Sequence, residues 1–89
     1  MTLYMVSFQT HAAEMRQKAA EQISSLPGEA WNAMHDVWVV ETDLSGRHIR
    51  DALRPVVGGA NKVIVALLAG WAAWHGFDGP SSEWLERHL

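Results

Sequence analysis

The sequence predicts an α+β domain of βαββαβ order, the ferredoxin-like arrangement. Two helices lie on one face of a four-stranded antiparallel sheet, and a C-terminal extension with a short helix follows. Three observations predict it. Apolar runs of strand character open the chain, fill its middle and recur near residue 63. Two stretches with three- and four-residue apolar spacing separate them. Right-handed crossovers then place both helices on the same side of the sheet. The 89 residues make one domain, 1–89, with 70–89 as the extension. A chain of this size buries only roughly 60 to 65% of its unfolded surface, so its stability can lean on a partner subunit.

In "LYMVSF" the side chains alternate, Tyr4, Val6 and Phe8 on one face and Leu3, Met5 and Ser7 on the other, which predicts a central strand. "THAAEMRQKAAEQISSLPG" carries Ala12, Met15, Ala19, Ile23 and Leu26 on one helical stripe, with Thr10 as its expected cap and Pro27-Gly28 as its stop. "EAWNAMHDVWVVET" reads as a hairpin turning near His35-Asp36, with Trp31 and Ala33 before the turn and Val37 to Val40 after it. In "DLSGRHIRDALRPVV", Ser45 is the expected cap, Leu44 staples onto Ile49, and Ala52, Leu53 and Val56 continue the buried stripe to an end at Pro55. "NKVIVALLAG" is apolar on both faces and reads as another inner strand, Val63, Val65 and Leu67 pointing one way and Ile64, Ala66 and Leu68 the other. The Pro/Gly pairs at Pro27-Gly28, Gly58-Gly59 and Gly79-Pro80 punctuate elements within the one domain.

With both helices on one side, the other sheet face is left bare. Leu3, Met5, Ile64, Ala66 and Leu68 would form a large apolar patch there. Something must cover it. The tail "WAAWHGFDGPSSEWLERHL", with Trp71, Trp74 and Phe77, can fold back over the patch or meet the same surface of a second copy in a two-fold dimer. Ser81 or Ser82 can cap its short helix.

Composition narrows the function classes. The absence of cysteine excludes a disulfide framework and a thiolate metal site, and suits a reducing cytoplasm. Met1 to Phe8 is too short for a signal core, and the apolar run Val63 to Trp74 falls well short of the about 20 residues a membrane span needs. A formal net charge of −3 disfavours indiscriminate binding to RNA or DNA.

"LYMVSF", "WVVETDLS", "IRDAL", "KVIVALL", "AAWHGF" and "SEWLERHL" together resemble the small bacterial proteins of the SinR family. These in turn are similar to the small dimeric CRISPR-associated subunit of the spacer-integration complex and to VapD-type ribonucleases. The resemblance spans nearly the whole chain. It implies the ferredoxin-like fold, a homodimer, and a partner in a nucleic-acid-handling or defence complex. In such relatives the first strand commonly ends in an aspartate, which can help hold a divalent metal. Here Phe8 is followed by Gln9, Thr10 and His11, and a neutral amide is a poor substitute for a carboxylate on magnesium. The departure argues against metal-dependent cleavage.

The residues themselves offer few catalytic patterns. His11, His35, His48, His75 and His88 show no metal-binding spacing and read as surface or capping residues, so neither a metal site nor a cofactor is expected. His11 and Gln9, beside the position of the missing carboxylate, are the candidates for residual chemistry, with Asp36 or Asp43 as carboxylate partners. Arg47, Arg50 and Arg54 share one helix face and can meet phosphates, although Asp51 among them favours a solvated face paired with Arg47 or Arg54. The tryptophans suit packing or a subunit interface better than base stacking, since "GWAAWHGF" holds no cation besides a protonated His75. The reading is a non-catalytic dimeric binding protein. Its rivals are a degenerate metal-dependent ribonuclease and a small acidic inhibitor of a defence complex.

Overall fold

A computed structural model describes residues 1–58, 61–69 and 71–89. Gly59, of the Gly58-Gly59 pair, and Gly70, where the predicted extension begins, lie outside the described residues. The elements are β1 (Thr2–Phe8), α1 (Ala13–Ser24), β2 (Glu29–Met34), β3 (Val37–Thr42), α2 (Gly46–Val57), β4 (Val63–Leu67) and α3 (Gly79–His88). The sheet order is β2-β3-β1-β4 and every neighbouring pair is antiparallel, the ferredoxin-like arrangement with α3 added. β1 is central, as expected, with β3 on one side and β4 on the other.

β4 is a correction to the inner-strand reading, because it forms an edge of the sheet. Apolar residues on both strand faces report what lies above and below the sheet. They say nothing of hydrogen-bonded neighbours at the side. Val63 and Val65 pack on the helix-side core, whereas Leu67, expected with them, is exposed.

That core joins Val6 and Phe8 of β1, Val40 of β3, Ala19 and Ile23 of α1, and Ile49, Leu53 and Val57 of α2. The α1 stripe holds from Met15 to Leu26, but Ala12 is exposed at the helix cap. Thr10 does not cap α1: no side chain caps that helix, and Thr10 is turned towards the hairpin. α2 starts as its sequence demands. Ser45 Oγ accepts from the His48 amide at 3.1 Å, and Leu44 packs on the cluster that holds Ile49. Pro55 does not end the helix, since it sits in the last turn and costs only one backbone bond there. The stop comes at Gly58, whose φ of +86° suits glycine, while the Asn61 side-chain amide donates to the Val57 carbonyl at 2.6 Å.

On the opposite face the tail folds back over its own sheet. Leu85 of α3 is buried between Leu3 and Val39, flanked by Trp31, Leu68, Trp74, Phe77, Trp84 and Leu89. Asp78 starts α3 by accepting the Ser81 amide at 2.9 Å, a cap that neither Ser81 nor Ser82 supplies. The predicted covering residues therefore divide. Leu3, Leu68, Trp74 and Phe77 meet the chain's own tail, Ala66 is half-buried, and Met5, Ile64 and Trp71 stay 38%, 67% and 81% exposed. No helix among the described residues is long and apolar enough to cross a membrane.

Candidate functional site

The end of β1 is held from two sides. The Phe8 amide donates to the Asp36 carbonyl at 3.0 Å and the Gln9 amide to the Lys62 carbonyl at 2.8 Å. Thr10 then follows the hairpin turn and directs both its amide and its hydroxyl at Asp36 Oδ2, each at 3.3 Å. Arg16, one turn into α1, adds its Nε at 2.9 Å from Asp36 Oδ1. Asp36 thus contacts Thr10, between Gln9 and His11 in the chain, and both of its carboxylate oxygens are engaged. The Gln9 and His11 side chains are exposed. The arrangement fastens the hairpin turn to β1 and α1.

Asp43 cannot act with His11. Thr2 pairs with Thr42 in the β1–β3 register, so Asp43 lies near the start of β1, 3.9 Å from the Met1 amino group. His11 follows the other end of β1. Seven residues of strand, about 20 Å or more, separate them.

On α2, Arg50 grips Asp51 through Nε and Nη2 at 3.0 and 2.9 Å, and Arg54 Nη1 stands 3.7 Å from the same oxygen. The Arg50 guanidinium holds the Asp51 carboxyl below its ordinary range, with help from Arg54. Of the two expected partners, Arg54 pairs with Asp51 and Arg47 does not, the closest contact coming instead from the adjacent Arg50. Arg47 and Arg50 border a shallow groove against Val63 and Val65 of β4. This is an exposed, partly self-neutralised face, and such pairs contribute little to stability.

A third cluster escaped the sequence. Glu29 of β2 and Glu41 of β3 are direct cross-strand partners, and His88, at the end of α3, reaches over both. His88 Nε2 lies 2.6 Å from Glu29 Oε2 and 4.0 Å from Glu41 Oε1, while Nδ1 lies 2.7 Å from the Trp84 carbonyl. The imidazole stacks on Trp84 at 3.9 Å between ring centroids, and Trp84 stacks on Trp31 at 5.7 Å. Phe77 meets Trp31 edge-on at 5.2 Å, completing an aromatic column that carries His88. Gly28 lets the chain enter β2 here. Its φ is +110°, and a Cβ would run into the Glu41 carbonyl oxygen.

Histidine spacing gave no sign of this cluster because its one histidine lies far along the chain from the hairpin that carries both glutamates. The register hid the rest. A regular hairpin turning at His35-Asp36 would set Glu29 opposite Thr42, but an irregularity between Asn32 and Met34 slips the pairing by one and sets Glu29 opposite Glu41.

Comparison with protein families, with curated proteins and with solved structures gives no match. The fold stands on strand order and packing alone.

Proposed function

We propose that the protein is a non-catalytic binding module that works as a homodimer, with another macromolecule of a nucleic-acid-handling or defence system as its target. The observation that carries the dimer is the incomplete cover on the second sheet face. Met34, at 57% exposure, joins Met5, Ile64 and Trp71 as large apolar side chains left to solvent beside the tail. An apolar cleft of about 140 Å³ opens on this face, lined by Met5, Met34, Ala72, Ala73 and Trp74 among others. A knob, Trp71, adjoining a cleft is what a two-fold contact needs, since the same surface must offer both halves of the fit.

Two observations favour binding over cleavage. The strand end offers Gln9 where a metal-holding carboxylate would serve, and Asp36 is committed to Arg16 and Thr10. The nearest rival remains the ribonuclease.

The chain lacks cysteine, so single cysteines report contacts cleanly. Ile64→Cys and Trp71→Cys proteins treated with a short bis-maleimide should give a covalent dimer, and Arg47→Cys on the helix side should not. Equal crosslinking at all three positions would oppose the proposed face. RNA and DNA incubated with the protein and magnesium or manganese should stay intact. Cleavage that disappears with EDTA and with His11→Ala would replace this reading with the ribonuclease.

A further inference from the structure

We infer that Glu29, Glu41 and His88 form a binding site for a divalent transition metal of the zinc class, which pins the C-terminal helix to the β2–β3 hairpin. The inference does not depend on the dimer or on the target.

Three features of the cluster lead there. Two carboxylates directly opposite on neighbouring strands repel each other, a placement that sheets ordinarily avoid. Their combined charge of −2 is matched in full by one divalent cation and only in half by a protonated imidazole. The ring nitrogens carry the second argument. A carbonyl can only accept, so Nδ1 bears a proton towards Trp84, and in the neutral ring the Nε2 lone pair is turned on the Glu29 carboxylate. A cation between Nε2 and the carboxylates converts this opposition into ligation. The Nδ1–H to carbonyl bond is also the second-shell contact that fixes a metal-bound histidine's tautomer and orientation.

Distances fit with small adjustments. One ligand atom each from Glu29, Glu41 and His88 lie within 4.8 Å of one another. Zinc bonds of 2.0–2.2 Å at tetrahedral angles set ligand atoms about 3.4 Å apart. The 2.6 Å contact must open by about 0.8 Å, the 4.0 Å contact close by about 0.6 Å, and the two carboxylates, within 4.8 Å of each other, close by at most about 1.4 Å, shifts within reach of glutamate side chains. The mixed nitrogen and oxygen set suits zinc, cobalt or nickel better than magnesium or calcium, which call for more oxygens. His88 is 11% exposed and backed by Trp84, so its ring is already placed, while Glu29 is 60% exposed and leaves the fourth position open to water. Each ligand comes from a different element. The ion would therefore tie tail to hairpin and raise the stability of the tail's packing.

The test uses the full chain, stripped with a chelator and dialysed, then titrated calorimetrically with ZnCl2 and examined with CoCl2. The expected results are one-to-one zinc binding, a higher melting temperature with zinc, and visible bands of tetrahedral cobalt. His88→Gln and Glu41→Gln should each weaken zinc binding at least tenfold and remove the cobalt bands, whereas His48→Ala on α2 should change neither. Glu29→Gln, at an exposed position, should weaken binding too and serves if either of the other variants misfolds. Absence of binding up to millimolar zinc would overturn the inference. Equal binding by the Glu41→Gln, Glu29→Gln or His88→Gln protein would overturn it as well.

Discussion

Asp36 shows how a residue suited to chemistry can be consumed by architecture. Its carboxylate takes the Arg16 guanidinium and two donors from Thr10, and its carbonyl takes the Phe8 amide, so one residue joins the turn, β1 and α1. Hydrogen bonds to a half-buried charge exceed neutral ones. Asp36→Ala should lower unfolding stability by about 1–3 kcal/mol in urea titration, while the exposed His11→Ala should stay within about 0.5 kcal/mol of the parent. The sequence set His11 just past the first strand and Asp36 at the hairpin turn, with Asp36 as one of two carboxylates offered to His11. It could not show which donors would claim Asp36, because Thr10 and Arg16 are 26 and 20 residues away along the chain.

Among the elements, those governed by local spacing were the most legible. The two faces of β1, the stripes of α1 and α2, the Ser45 cap and the hairpin turn all follow from neighbours a few residues apart. β4's place at the edge, the continuation of α2 past Pro55 and the slip between Asn32 and Met34 depend on packing or on one added residue, and local spacing does not reveal them. α3 provides two checks on its own docking. Leu85 is buried between Leu3 and Val39, so Leu85→Ala should cost about 2–4 kcal/mol in the same urea titration if tail and sheet unfold together. Asp78 supplies the pH check. The Ser81 backbone amide, aided by its side chain, holds the Asp78 carboxyl below the ordinary aspartate value. A carboxyl depressed in the folded state lends its stability fully above its unfolded pKa, about 3.9, and loses it as pH falls through the folded value. Tail tryptophan fluorescence should accordingly report fraying of α3 on acidification below about pH 4, with a smaller change in Asp78→Ala.

At the scale of the whole molecule, the sequence foresaw a sheet with helices on one side and a bare apolar reverse. It left open whether the tail or a second copy covers that reverse. The tail covers the part around Leu3, Val39 and Leu68, and leaves Met5, Met34, Ile64 and Trp71 outside. The division is physical. An extension of about 20 residues that forms one short helix cannot shield a four-stranded sheet face entirely, and a remainder rich in large apolar side chains favours association. Sedimentation velocity over a range of micromolar concentrations tests this account most directly. It predicts twice the chain mass for the native protein and a folded single-chain particle for Trp71→Glu combined with Ile64→Glu. A native protein that sediments as one chain at every concentration, with the double variant indistinguishable from it, would contradict the account.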